Sequence, residues 1–191
     1  IIKSPGHRAR ENCFMSKFIV YACPVGELAT QLELYFQTSE VECGKNTAHK
    51  YMPHCTLTGF FEDELTAIPI YIEALDDALK NSLSKYSKPL INILSMTFKS
   101  EWHGLELHSP TLKRIIADFA KTVNSPTRHG ELRLKDWLHL SLAYEFRAKQ
   151  KDSLKIIAEK IINTQASVQW ELRFYQLHSD WTWTCHKSWM L

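Results

Sequence analysis

Apolar, β-branched and aromatic runs alternate along this chain with segments whose apolar positions recur at helical spacing. "KFIVYAC" (17–23) predicts a strand, punctuated by Pro24 and Gly26. "ELATQLELYFQ" then spaces Leu28, Leu32 and Tyr35 at i, i+4 and i+7, which predicts an amphipathic helix. The polar stretch 38–50, with Gly44, Asn46 and His49, predicts a loop, and "YMPHCTLTGFF" (51–61) predicts a strand. Leu75, Leu79 and Leu83 mark the face of a second helix, with Pro69 tolerated near its start.

The second half continues in the same style. "LINILSMTF" (90–98) and "GLELHS" (104–109) flank a short polar turn and predict a hairpin. Ser109–Pro110 reads as an N-cap with proline at the first helical position, ahead of Leu112, Ile115, Ile116, Phe119 and Val123. A polar connection (124–136) leads to a strand, "WLHLSLAYEF" (137–146). Asp152 is expected to cap a helix carrying Leu154, Ile157, Ile161 and Ile162. Two strands, "VQWELRFYQLH" and "WTWTCH", joined at Ser179–Asp180, close the chain. Nothing resembles a flexible linker. The expectation is one α+β domain over 14–191, preceded by a basic arm at 1–13.

Two of the predicted strands carry the same polar pattern. Laid over each other, "MPHCTLTGFF" and "WLHLSLAYEF" match His54 to His139, Thr56 to Ser141, Leu57 to Leu142 and Phe61 to Phe146. Side chains at i and i+2 of a strand share a face. Each copy therefore presents an imidazole and a hydroxyl together, while Cys55, Leu57, Leu140 and Leu142 face a core. The next positions on the polar face, Thr58 and Ala143, are small and predict room for a ligand. Side by side, the two strands would assemble two imidazoles and two hydroxyls. That set suits phosphodiester cleavage. A neutral imidazole removes a proton from the nucleophile and a protonated one supplies the leaving oxygen. Hydroxyls can hold the non-bridging oxygens in line.

"HCTL" and "HLSL" together resemble the signature of the two-histidine (2H) phosphoesterases, a pair of His-x-Thr/Ser-hydrophobic motifs at about this separation. The resemblance covers strand and helix order from about residue 17 to the C-terminus. "YMPHCTLTGFF" is also similar to the phosphoesterase-like domain of some multidomain signalling phosphatases. The family resemblance implies a bilobal, pseudo-symmetric LigT-like α+β fold, with antiparallel sheets lining a central cleft and helices outside. It implies substrates such as 2′,3′-cyclic phosphate ends of RNA, cyclic phosphates from tRNA splicing, or 2′–5′-linked nucleotides, with no metal or cofactor. His54 and His139 would be the acid–base pair and Thr56 and Ser141 the phosphate ligands. Which histidine is the base stays open.

Composition narrows the alternatives. The 191 residues, 45% hydrophobic and 23% charged, are ordinary for a water-soluble globular protein with one substantial core. No apolar run reaches the roughly 18 residues that span a bilayer. The start "IIKSPGHRAR" lacks the apolar h-region of a signal peptide. Five cysteines without a C-x-x-C pair predict reduced thiols and a cytoplasmic location. A net charge of +2 is too small for non-specific binding to long nucleic acid, and leaves a nucleotide or RNA terminus as the expected partner. Other domains are expected partners if the chain is a fragment. The alternative from another class is a non-catalytic module, binding a nucleotide, an RNA end or a protein through the same cleft.

The remaining chemistry-bearing residues are read as follows. Cys43, His49, His54 and Cys55 lie close in sequence but lack zinc-ligand spacing. His103, His108 and His129 are expected in turns and solvated, and His178 and His186 on terminal strands. Trp181 and Trp183 are expected with Phe174 in the core. Tyr51, Thr58, Trp102 and Tyr144 are the candidate substrate-binding residues. Arg128, Arg133, Lys135, Arg147 and Lys149 are basic positions that either rim the cleft or are merely solvated.

Overall fold

The computed structural model describes residues 15–85 and 88–191, so the expected arm at 1–13 lies outside the described residues. Eight strands and four helices follow in the order β1 (Met15–Val25), α1 (Glu27–Cys43), β2 (Cys55–Thr56), β3 (Phe61–Glu64), α2 (Ile68–Lys85), β4 (Asn92–Phe98), β5 (Trp102–His108), α3 (Pro110–Thr122), β6 (His139–Tyr144), α4 (Lys151–Ile161), β7 (Gln169–Leu177) and β8 (Trp183–Met190). The fold is α+β. Where separate sheets were expected, one antiparallel sheet runs β4-β5-β6-β2-β1-β7-β8, with β3 also paired to β1. The two halves of that sheet meet at β2 and β6, where Cys55 pairs with Leu140.

Alternation decides what each sheet face does. Along β1, Phe18, Val20 and Ala22 join the main core, while Ile19, Tyr21 and Cys23 point to the other face. The four described helices contribute to that one core, through Leu28 and Leu32 of α1, Tyr71 and Leu75 of α2, Ile115 and Phe119 of α3, and Ile157 and Ala158 of α4. Helix α1 lies beside α4, and α2 beside α3. Among the described residues the opposite face carries a small cluster of Ile19, Tyr21, Cys23 and Tyr175, with Met52, Phe60 and Trp183 packed against it. It is therefore open for a site. Cys55, Leu57, Leu140 and Leu142 turn toward the helices as expected.

Several elements depart from the sequence expectation for identifiable reasons. Helix α1 continues through the supposed loop to Cys43 and stops where Gly44 takes a φ of 82°. Glu40 and Glu42 there are exposed, and the one buried polar residue, Ser39, donates its hydroxyl to the Phe36 carbonyl at 3.2 Å. The predicted strand 51–61 starts only at Cys55, after Pro53, which lacks a backbone donor, and is divided into β2 and β3 where 57–59 pairs with 133–135 instead. Leu83 is exposed: steps of four residues drift off a 3.6-residue face, which Ala78, Leu79 and Ser82 continue instead. Asp152 sits inside the first turn of α4 rather than capping it. Ser109 does cap α3, its Oγ accepting from Leu112 N–H at 3.3 Å.

One buried polar cluster anchors the long connection that follows α3. Asp63 on β3 accepts from Tyr71 O–H at 2.6 Å, Thr127 O–H at 2.6 Å and Glu64 N–H at 2.7 Å. Burial pushes its carboxyl up, but these bonds outweigh that and hold it below the usual carboxylate range. The connection then runs antiparallel beside 57–59 through the Thr58–Leu134 bridge. It delivers the chain to β6 and its histidine.

Candidate active site

The structure brings the two motifs together across the middle of the sheet. The register that sets Cys55 opposite Leu140 places His54 across from Ser141 and Thr56 across from His139. All four line one cavity of about 230 Å³, with Tyr51, Trp102 and Tyr144. A second cavity, of about 310 Å³, shares Tyr51, His54, Thr56, His139 and Tyr144 and extends toward Phe60 and Arg133.

Both imidazoles are wired alike. His54 Nδ1 lies 2.7 Å from the Met52 carbonyl, and His139 Nδ1 lies 3.1 Å from the Trp137 carbonyl. A carbonyl only accepts, so each Nδ1 carries the proton and donates it to the residue two positions upstream. Each Nε2 is left for chemistry. A ring backs each one at a centroid distance of 3.9 Å: Tyr21 behind His54 and Trp137 behind His139. These contacts lock the rings in place. His49 shows the contrast, because its Nδ1 accepts from Asn46 N–H and its Nε2 faces the Phe36 carbonyl and the Ser39 hydroxyl. Both of its nitrogens serve the fold.

The hydroxyls differ. Ser141 Oγ accepts from the Trp102 indole N–H at 2.9 Å, which leaves its own O–H free to donate into the cavity. The Thr56 hydroxyl has no hydrogen-bond partner among the described residues. Trp102 reaches Ser141 by lying across Gly104, where an added Cβ would stand 2.2 Å from its ring and 2.4 Å from the Leu140 carbonyl. Only glycine admits that approach.

A β-bulge decides what else enters the site. Gly104 pairs with Ser141 but His103 pairs with Ala143, so Leu142 is the extra residue on β6. The extra residue reverses the alternation. Ala143 therefore turns inward, contrary to the expectation that it opens space on the polar face, and Tyr144 joins the cavity lining instead. The Tyr144 hydroxyl, raised by burial, interacts with that of Tyr51. Thr58 also departs from expectation. It is fully buried and its Oγ1 accepts from Val20 N–H at 3.1 Å, a bond that ties β1 to the 57–59 segment.

Charge at the two histidines is unequal. Burial lowers His54 to about 4, the Met52 carbonyl opposes that, and the proximity of His139 adds to it. His139 is lowered too, by burial first, with Lys135 and Lys99 adding and the Trp137 carbonyl and Glu106 opposing. Lys99 Nζ sits 4.7 Å from the Trp137 ring centroid and 5.4 Å from that of Trp102, and pairs with Glu106 at 3.7 Å. Trp137, Lys99 and Tyr21 belong to the site although sequence reasoning did not name them for it. Alternation from Phe18 could have found Tyr21.

Other expectations are corrected. His103 is fully buried on β5 between Phe98 and Phe146, not solvated in a turn, because it alternates with Leu105 and Leu107 on the core face of that strand. Trp181 is 53% exposed in the β7–β8 turn with a φ of 65°, and Trp183 lies against Tyr51 and Phe60 on the site face. Neither belongs to the core that holds Phe174. His178 bonds Thr184 at 2.7 Å, and His186 bonds Gln176 at 3.0 Å while packing on Phe18 and Phe174. Arg133 and Lys135 line the second cavity; Arg147 and Lys149 are exposed. Arg128 sits near the buried Asp63 cluster, its Nε donating to the Gly130 carbonyl at 3.3 Å. Among the described residues no group of three or more His, Cys, Asp or Glu side chains is placed to hold a metal ion. None of the described helices is long and apolar enough to cross a membrane.

No protein-family model matches the chain. It is 35% identical over 148 residues to the mouse "Ubiquitin-associated and SH3 domain-containing protein B", which covers 76% of this chain and 23% of that protein. It is 31% identical over 167 residues to the Bombyx mori "Ecdysteroid-phosphate phosphatase", covering 83% of this chain and 24% of that protein. The Drosophila melanogaster protein of that name is 32% identical over 211 residues, covering 86% and 26%. The chain is thus similar to one segment, about a quarter of the length, of these larger relatives.

Proposed function

We propose that this chain is a phosphodiesterase of the two-histidine type, with a two-lobed, pseudo-symmetric 2H phosphoesterase fold whose halves meet at β2 and β6. Its substrate is a nucleotide or RNA end bearing a 2′,3′-cyclic phosphate or a 2′–5′ linkage. One observation carries this reading. His54 and His139 hold their Nδ1 protons on backbone carbonyls and direct two free Nε2 atoms at one cavity, each across from the other motif's hydroxyl. Similarity to proteins named as phosphatases supports phosphoester chemistry.

The unequal environments suggest the division of labour. His54, the more strongly depressed, stays neutral and takes a proton from the nucleophile, water for a cyclic phosphate or the adjacent 3′-hydroxyl for a 2′–5′ linkage, as that oxygen bonds to phosphorus. His139, with Glu106 favouring its charged form, gives its Nε2 proton to the departing ribose oxygen as the ester bond breaks. The hydroxyls of Thr56 and Ser141 donate to the non-bridging oxygens, and the Trp102 indole keeps the Ser141 proton aimed inward. A fresh water exchanges the two protons back.

The test is turnover of a 2′,3′-cyclic nucleotide, a 2′–5′ dinucleotide and a 3′–5′ deoxy-dinucleotide, with a chelator present and products resolved by liquid chromatography. A ribose-linked substrate should be cleaved at least about 10²-fold faster than the deoxy one, which lacks the strained ring or the neighbouring hydroxyl. Equal cleavage of the deoxy substrate would contradict the ribose-centred reading. Tight nucleotide binding without turnover would establish the non-catalytic module instead.

A further inference from the structure

Arg133 and Lys135 are presented to the second cavity by a specific backbone arrangement. Gly59 N–H donates to the Arg133 carbonyl at 2.7 Å and Lys135 N–H to the Leu57 carbonyl at 3.1 Å, with Thr58 and Leu134 bridged between them. This short antiparallel run holds the connection extended. Residues 133 and 135 consequently share a face and Leu134 takes the other. Arg133 lies against Gly59, where an added Cβ would stand 3.5 Å from both its Cβ and its Nε. Both cations line the cavity that also exposes His54, Thr56 and His139, and no carboxylate lines it. Among the described residues neither is in an ion pair, unlike Lys99, Arg173 and Lys187. Lys135 is close enough to lower His139.

The two cavities differ in kind. The first has aromatic and apolar walls in Phe36, Ala48, Met52 and Trp102 and contains Ser141; the second lacks Ser141 and has the cations. A phosphate held between the two motifs therefore has a cation-free space on one side and, on the other, one where Arg133 and Lys135 stand among Ile19, Tyr21 and Phe60. We propose that the second cavity is an anion subsite, and that the preferred ligand is a nucleotide carrying a further phosphate, such as a 5′-phosphate, besides the one at the histidines. This rests on the phosphodiesterase reading for which phosphate occupies the motifs. It adds the class of substrate: an already phosphorylated nucleotide or the next internucleotide phosphate, rather than a nucleoside with one phosphate.

Calorimetric binding separates this from turnover. Adenosine 2′-monophosphate and adenosine 2′,5′-bisphosphate are titrated into the wild-type chain, Arg133→Gln, Arg133→Gln/Lys135→Gln and Lys149→Gln. The ratio of the two dissociation constants is the readout, because it cancels any general effect on the motif site. The wild-type chain should bind the bisphosphate at least about tenfold more tightly, as expected for one added charge-assisted contact. Arg133→Gln should lower that ratio and the double variant should bring it to about one. Lys149→Gln, an exposed charge outside both cavities, should leave it unchanged. Equal affinity of the wild type for both ligands, or a ratio that survives the double variant, would overturn the subsite. A normal ratio in a chain that turns over no cyclic nucleotide would sink the hydrolase reading and leave the subsite standing; turnover without the ratio would do the reverse.

Discussion

The two motif strands form a natural experiment within one chain. Their local wiring is the same: Nδ1 on the carbonyl two residues upstream and an aromatic ring 3.9 Å away. Their surroundings are not. His54 sits under Tyr21, beside Tyr51, and burial lowers it to about 4. His139 stands nearer the opening between Trp137, Trp102 and the Lys99–Glu106 pair, where charges of both signs act on it. Thr56 is unbound while Ser141 is held by Trp102. Identical motifs thus become unequal acids through burial and neighbours, which is how one site can supply a base and an acid at the same pH.

The largest effect should come from removing either imidazole. His54→Ala and His139→Ala are each expected to lower kcat by about 10²–10⁴ on a 2′,3′-cyclic nucleotide. Because the pair acts as a unit, the double variant should be far less than multiplicatively worse. Multiplicative losses in steady-state kinetics would mean that the two act independently. Next come the hydroxyls, where Thr56→Val and Ser141→Ala should each slow turnover by roughly 10–10³ with the fold retained, as judged by circular dichroism. Wild-type kcat/KM in both would move the phosphate clamp elsewhere.

Smaller effects probe the asymmetry itself. Trp102→Phe keeps the ring but removes the N–H that orients Ser141. It should lower kcat about 3–10-fold with KM little changed, the size of one neutral hydrogen bond. The same substitution in a Ser141→Ala background should then do nothing more, and an undiminished loss there would assign Trp102 a separate role. Away from the site, Asp63→Asn should cost roughly 1.5–3 kcal/mol in denaturant unfolding, since the charged acceptor of a buried cluster is lost. Asp63 is held below its unfolded value of about 3.9, so its contribution is full above that pH and fades as pH falls through the folded value. A variant with unchanged stability at pH 7 would show that Thr127 and Tyr71 find other acceptors.

What was legible in the sequence follows from periodicity and local chemistry. The strands around 17–23 and 169–177, the β4–β5 hairpin and the Ser109 cap all announce themselves in a few consecutive residues. The four motif residues were legible because the same spacing occurs twice. What was not legible depends on pairing between distant strands. No local signal marks Leu142 as a bulge, yet that one residue exchanges Ala143 for Tyr144 at the site. Gly104 is unremarkable in sequence and acquires its role only once Trp102 lies across it. Trp181 and Trp183 alternate like core residues, but none of the described helices covers that face of the sheet. Hydrophobicity could not say which face the helices would choose.

The pH dependence of kcat/KM on a 2′,3′-cyclic nucleotide, with chemistry rate-limiting, tests the division of labour most directly. His54 as base must be neutral, so the rate should rise with pH through about 4. His139 as acid must be protonated, so the rate should fall above a value lying below the ordinary imidazole pKa of about 6.5. The result expected is a bell with its maximum between those limits, whose ascending limb is lost in His54→Ala. A maximum at or above pH 8, or an ascending limb that survives that substitution, would contradict it.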